Sequence, residues 1–200
     1  GKGEKEKKDL YIEGVQNNGI INHYEYIINS EGTIEIRHVL KPEGKMPLWF
    51  PRIGLTLTVS DALDQVKWYG RGPQENYPDR KTGYPTGIYA STVQAMYEPY
   101  LMPQDYGLRT DVRWLQLTTD KGIGLQFKMN EWFNFNIYPY STDNLTKAMY
   151  TYQLQKQKGM TLNLDYATTG VGCTARGVFG AYKAMPQEYR RTISIRPMMK

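Results

Sequence analysis

Glu75 and Asp79 stand four residues apart on a segment flanked by Pro73 and Pro78. Paired carboxyl groups are what glycosidic bond cleavage requires, about 5–5.5 Å apart for retention and ~6.5–9.5 Å for inversion. A spacing of four on a proline-flanked loop fixes neither distance. The same carboxylates can instead cap turns or pair with Arg71 and Arg80. Around them the chain reads WYGRGPQENYPDRKTGYPTGIY and then YEPYLMPQDYGLRTDVRW. Glycines, stiffening prolines, carboxylates, amides, arginines and tyrosines together are the ingredients of sugar recognition. An aromatic face covers the apolar side of a pyranose while fixed polar groups take its hydroxyls. The competing reading is structural: Tyr77, Tyr84, Tyr97 and Tyr100 pack long loops onto a scaffold, and Arg80 and Arg109 hold them by salt bridges.

Other chemistries lack their residues. His23 and His38 fall in early strand patterns, far in sequence from this stretch, which leaves no basis for a histidine-centred triad. No His-x-His, Cys-x-x-Cys or HExxH spacing occurs, so no metal site is expected. Gly70-Arg71-Gly72 runs into Pro73 rather than into a helix start, so no phosphate loop is expected either. No catalytic residue is assigned.

The elements that must position these loops follow a period of two. Ile34, Ile36 and His38 alternate with Glu35 and Arg37; Leu55, Leu57 and Val59 with Thr56 and Thr58; Phe133, Phe135 and Ile137 with Asn134 and Asn136. Leu162 and Leu164 alternate with Asn163 and Asp165, and Ile193 and Ile195 with Ser194 and Arg196. Such alternation sets one face of a strand on a core and the other in water or against a neighbouring layer. Further strands are predicted at Tyr24–Ile28, Val66–Tyr69, Val112–Leu117 and Gly122–Lys128. Turns at Asn17-Asn18-Gly19, Ser30-Glu31-Gly32, Asp120-Lys121-Gly122 and Lys158-Gly159 separate them, the pattern of an antiparallel sandwich. One short helix is predicted over Ser141–Tyr150, capped by Ser141 or Thr142 with Asp143 in its first turn. Between Tyr69 and Asp111 the pattern gives way to a long irregular stretch, the kind usually given to function.

Composition bounds the rest. With 200 residues, 40% of them apolar, and 17 tyrosines, the chain fits one globular domain and excludes disorder. No run approaches the ~18–20 apolar residues of a membrane span, and the first ten residues lack the apolar stretch of a signal peptide. Cys173 is the single cysteine, so no internal disulfide can form and the compartment, cytoplasmic or periplasmic, stays open. The net charge of +5 is scattered without a stripe or basic helix, so nucleic acid is not an expected partner. Residues 1–9 mix lysines with acids and read as a linker or a cloning remnant, which leaves 10–200 as one domain.

Phe50-Pro51-Arg52-Ile53-Gly54-Leu55, followed by the string from Trp68 through GPQENYPDR to Arg80, resembles the C-terminal, small-chain domain of large beta-galactosidases of glycoside hydrolase family 2. Tyr97-Glu98-Pro99-Tyr100, Pro103-Gln104 and Gly107 to Trp114 continue the resemblance. Phe133 to Tyr138, the Leu145 segment, Leu162 to Asp165 and Gly170-Val171-Gly172 follow in the family's order. It covers roughly Leu48 to Pro197, and nine ordered residues with two prolines make GPQENYPDR specific.

The resemblance implies an all-β, antiparallel supersandwich of the galactose-mutarotase-like kind, with long loops and at most one short helix. It implies a parent glycosidase that hydrolyses terminal beta-D-galactosides with retention, through glutamates of a barrel domain not contained in this chain. The chain alone is therefore expected to be inactive and to complete and gate the galactoside site. Its implied partners are the parent's remaining domains and the galactoside, with homo-oligomerisation arising through the parent. Gly70–Arg80 would be the lid, hinged at Gly70 and Gly72, with Glu75 and Asn76 as polar contacts and Arg80 and Arg109 ordering the loops. No cofactor is implied for this chain; the family's magnesium and sodium lie in other domains.

Three departures qualify the resemblance. No WRAPTDND-like string precedes Leu10, which implies a sandwich cut on its N-terminal side or a member that differs. Where the family carries a tryptophan after a GIGGDDSW-like string, this chain has none from Gly170 to Tyr182; Phe179 is the nearest stacking platform and Tyr182 the second. Tyr150 stands where members often have histidine. Two other classes fit the same loops: a stand-alone carbohydrate-binding module and a purely structural or oligomerising domain.

Overall fold

A computed structural model describes residues 8–10, 19–172 and 177–199. Among the described residues ten strands form one antiparallel sheet: β1 (Lys8–Leu10), β2 (Ile20–Ile28), β3 (Ile34–Pro42), β4 (Arg52–Val59), β5 (Gln65–Arg71), β6 (Thr86–Thr92), β7 (Arg109–Thr118), β8 (Gly124–Tyr138), β9 (Met160–Thr168) and β10 (Tyr189–Met198). Their order is β1-β2-β3-β10-β8-β7-β5-β6, with β9 on β8 and β4 on β9. The sheet forks at β8. On one edge its first part, Gly124–Met129, pairs with β10, and its last part, Asn134–Tyr138, pairs with β9. The other edge carries β7 against both parts, with register shifts on either side of Val112.

The alternating residues explain the closure. Ile36, Trp68, Leu115, Leu117, Phe127, Phe133, Phe135, Leu162, Leu164 and Ile193 all lie in one buried cluster. The forked sheet therefore wraps one large apolar cluster, the two-layered arrangement that period-two patterning demands, and Tyr106, Tyr138 and Leu145 form a second, smaller one among the described residues. The helix α1 (Thr142–Lys147) is a turn shorter than expected at its C-terminal end; Ser141 caps it by accepting from Asn144 N, and Asp143 lies in its first turn.

Three expectations change. Gly122–Lys128 and Phe133–Ile137 belong to one continuous strand, β8, rather than two. The stretch between Tyr69 and Asp111 is not wholly irregular, because β6 pairs with β5 along its length. Lys8–Leu10 pair with Tyr24–Tyr26, so the end of the charged run expected as linker joins the sheet. Cys173, and the turn residues Asn17 and Asn18, lie outside the described residues.

The polar faces of β9 and of the last part of β8 are covered too. Arg52 on β4 donates to Asp165 at 2.8 Å, to Asn136 at 3.2 Å and to Asp105 at 3.3 Å. Asn163 donates to Asn136 Oδ1 and to the Tyr138 hydroxyl and accepts from Thr56. These buried amide, carboxylate and guanidinium groups thus find partners inside the layer, as burial requires. Burial pushes the Asp165 carboxyl up to about 6, against the pull of Arg52.

His38 is the opposite case. It is 1% exposed, stacks on Tyr24, receives the Tyr166 hydroxyl at Nδ1 (2.6 Å) and gives its Nε2 proton to Asn22 Oδ1 (3.0 Å). Burial pushes its pKa down from 6.5 to about 4. Between pH 6.5 and 4 the unfolded chain therefore takes up His38's proton first, and stability is lost as pH falls. For Asp165, raised from 3.8 to about 6, the folded chain is protonated first, and stability is gained as pH falls through 6. The two slopes oppose each other in one window. In melting series from pH 7 to pH 4, His38→Gln should tilt the curve toward greater stability at acid pH relative to wild type. An unchanged slope would show that His38 is not buried in its neutral form.

Candidate functional site

The segment leaving β5 is pinned from three sides. Glu75 accepts from Gly107 N at 2.8 Å, from the Tyr77 hydroxyl at 3.1 Å and from the Tyr100 hydroxyl. Asn76 is fully buried: its Oδ1 accepts from Thr110 N (3.1 Å) and the Thr110 hydroxyl, and its amide donates to Gln74 O. Asp79 accepts from Val171 N at 3.1 Å and Gly172 N at 2.7 Å. The chain must be glycine at 170 for this seat, because a Cβ there would lie 2.3 Å from the Asp79 carboxyl carbon. Beneath the loop, Arg109 is 3% exposed, donates to Pro73 O and Gly107 O, and lies 5.4 Å from the Trp68 ring centre. Burial pushes its pKa down to about 10, while Glu75 and Glu98 pull it back up.

These contacts show where each expected residue lies. Glu75 and Asp79 are engaged by different segments, Glu75 by Tyr77, Tyr100 and Gly107 and Asp79 by Val171 and Gly172. Asn76 has no free edge to offer a sugar in this conformation. Gly70 and Gly72 are absent from the glycines at positive φ. They are required for room instead: a Cβ at 70 would meet Val112 at 2.9 Å, and one at 72 would meet Tyr89 at 2.8 Å and Trp68 at 3.0 Å. Arg80 is exposed and forms no ion pair among the described residues; it closes its turn through the backbone, N to Tyr77 O at 2.8 Å. The charge that organises the loop is Arg71, which donates to Asp111 at 2.6 Å and to the carbonyls of Lys81 and Tyr84.

Next to the pinned loop lies an open groove of about 220 Å³, floored by Asp111, Asn134 and Thr168 and walled by Lys81, Trp132 and Tyr182. Asp111 sits at φ +55°, in the left-handed region, where the register of β7 slips against β8. Aspartate tolerates that region better than most residues, and its neighbours hold it there. Lys81 reaches both carboxylate oxygens at 2.9 and 3.0 Å, and Asp111 N donates to Asn134. Burial would raise the Asp111 pKa, but hydrogen bonds from Lys81 and Arg71 outweigh it and hold the carboxylate below its usual range. Trp132 is 60% exposed with Arg113 stacked 3.8 Å from its ring centre. Tyr182 lines the groove, whereas Phe179, 66% exposed, stands at the start of the adjoining 3-10 turn Gly180–Tyr182.

Sequence reasoning missed Asp111, Trp132 and Lys81. The signal for Asp111 lay in its position, at the point where β7 resumes its alternation after the irregular stretch. For Trp132 it lay in a large aromatic beside the charged Glu131, on the face that alternation assigns to solvent. The groove offers a carboxylate, an ammonium, an amide, a hydroxyl and an exposed aromatic ring. That set can hold a polyol ring by its hydroxyls and its apolar face. It contains no second carboxylate with which to cleave a glycosidic bond. Among the described residues no group of three or more His, Cys, Asp and Glu converges as a metal site.

Residues 3–195 match the family described as beta galactosidase small chain. The chain is 38% identical over 147 residues to a beta-galactosidase of Priestia megaterium, covering 74% of this chain and 14% of that enzyme. It is 39% identical over 122 residues to a beta-galactosidase of Vibrio cholerae, covering 61% of this chain and 11% of that enzyme. A solved structure of a putative aldose 1-epimerase from Escherichia coli K12 aligns with 99% of this chain and 69% of its own, at 8% identity and a TM-score of 0.44, too low a likeness to bear on function. The chain thus spans about a seventh or less of the length of the curated relatives it matches.

Proposed function

Because this chain belongs to the beta-galactosidase small-chain family, we propose that it is a non-catalytic part of a larger beta-galactosidase, completing a galactoside site whose bond-breaking groups lie elsewhere in the parent. The observation that carries this reading is the groove itself. It holds the means to bind a sugar ring, an exposed Trp132 beside Asp111, Lys81 and Asn134, without a carboxyl pair to cleave one.

In this reading Gly70–Arg80 contributes by rigid placement rather than by gating. To move as a lid it would have to release Glu75 from Gly107, Asn76 from Thr110 and Asp79 from Gly172 together. Held as it is, it delivers Arg71 and Lys81 to Asp111 and fixes one wall of the groove. Tyr182 adds a second aromatic side chain to the groove lining.

The test is Trp132→Ala in the parent enzyme. Loss of an aromatic platform should lower kcat/KM for a galactoside roughly tenfold, which corresponds to about 1.4 kcal/mol. The fall should be carried mainly by KM, since the ring binds but does not react. Unchanged kinetics would remove the groove from the substrate site. Hydrolysis of nitrophenyl galactoside by the isolated chain would overturn the non-catalytic assignment.

A further inference from the structure

At the other end of the fold lies a larger cavity, about 570 Å³, that none of the contacts above uses. Its volume falls within the ~300–1,000 Å³ typical of small-molecule sites. Tyr97, Tyr106 and Tyr140 line it, with Asp61 and Asp64 on one side and Lys156 on another. Tyr106 is 2% exposed, and its hydroxyl is buried without a hydrogen-bond partner. An orphaned hydroxyl costs about 1–3 kcal/mol; Tyr106 also lines the cavity, so a small shift of its ring would bring that hydroxyl to a ligand atom that completes it. Tyr97 packs edge-on against Tyr106 with ring centres 5.3 Å apart, and Tyr140 packs against the same cluster. The three rings therefore gather at one wall of the cavity.

We propose that this cavity is an accessory binding site for a short neutral saccharide. Tyrosine rings cover an apolar ring face, tyrosine hydroxyls donate to or accept from sugar hydroxyls, and the two aspartates accept from them. Asp61 Oδ2 is already taken by Gly159 N at 3.0 Å, and Asp64 Oδ1 by Gln65 at 3.0 Å, which leaves one oxygen of each for a ligand. Two carboxylates exclude an anionic ligand, and Lys156 offsets one of them, so a neutral polyol fits better than a cation. Met160 lines this cavity and Thr168 the groove, at opposite ends of β9. At ~3.3 Å per residue the two sites lie roughly 25 Å apart, so one sugar ring cannot serve both.

Titration of the full chain with cellobiose and maltose, glucose disaccharides that probe the cavity without a galactose unit, tests the assignment. Binding in the millimolar range is expected for at least one of them. It should weaken tenfold or more in Tyr97→Ala and in Asp64→Asn, the latter altering an exposed side chain that the fold does not need, and should survive in Trp132→Ala. Equal binding by Asp64→Asn and wild type would overturn the proposal, as would binding abolished by Trp132→Ala. Failure of both sugars to bind would also overturn it and would mark the cavity as a seat for another segment of the parent. Because the groove's proposed role is read with a galactoside and Trp132, either reading can fail without the other.

Discussion

Replacing Arg52 by methionine should lower folding stability by about 3–5 kcal/mol, read as a fall in the urea midpoint at unchanged slope. The reason lies in what is left behind. Asp165 is 1% exposed, and among the described residues Arg52 is its one cationic partner, at 2.8 Å. Methionine keeps much of the arginine's length but strands a carboxylate in the dry layer between β4, β8 and β9. It also strips Asn136 and Asp105 of a donor. Because burial already raises Asp165 to about 6, the loss should be smaller at pH 5, where the carboxyl can take a proton, than at pH 8. The double variant Arg52→Met with Asp165→Asn should recover part of the loss, since no buried charge then remains unpaired. A single variant within 1 kcal/mol of wild type would show that water reaches Asp165 after all.

Asn76→Ala should be nearly as damaging, at about 1–3 kcal/mol for each donor it strands. Thr110 N and the Thr110 hydroxyl both point at Asn76 Oδ1, and Thr110 is 1% exposed, so neither can turn to solvent. Thr110→Val removes only one of the two donors and should cost less. Combined with Asn76→Ala it should give a sub-additive double-mutant cycle, because the stranded hydroxyl is then gone. Hydrogen exchange supplies the local readout: the Thr110 amide should lose its protection before the amides of β9 do. If the Thr110 amide stays protected in the variant, the loop is held by Glu75 and Asp79 alone. The same experiment bears on the groove, since Thr110 precedes Asp111 and a loosened turn there would release the carboxylate from Lys81.

The strands that bury one face were legible because their residues contrast. Ile34/Ile36, Leu55/Leu57, Phe133/Phe135, Leu162/Leu164 and Ile193/Ile195 each mark an observed strand. β6 escaped notice because TGIYAST holds little contrast, and as the last strand of the sheet it pairs only with β5. β8 read as two strands because Asn130 and Glu131, both exposed, interrupt its apolar side chains. The alternation of Asn134, Asn136, Asn163 and Asp165 gave their face but not its fate. Only Arg52, Asp105 and Tyr106, brought from elsewhere in the chain, turn that face into a buried layer.

The site was legible in its ingredients and not in its assembly. Glu75 and Asn76 had the residue types to meet a sugar, but their partners Tyr100, Gly107 and Thr110 stand 25, 32 and 34 positions away. No local spacing reveals that those partners consume them. Asp111 and Trp132 come together only because β7 and β8 are neighbours with a slipped register, a property of the pair rather than of either strand.

The unbroken run of β8 bears on how this protein can change over generations. One strand serves both branches of the fork, so the parity of its residues is shared by two environments. A single-residue insertion or deletion near Asn130 would exchange the faces of everything beyond it. Phe133, Phe135 and Ile137 would then enter the polar layer, and Asn134 and Asn136 the apolar core. β8 can therefore drift by substitution, whereas changes of length are confined to the loops at its two ends.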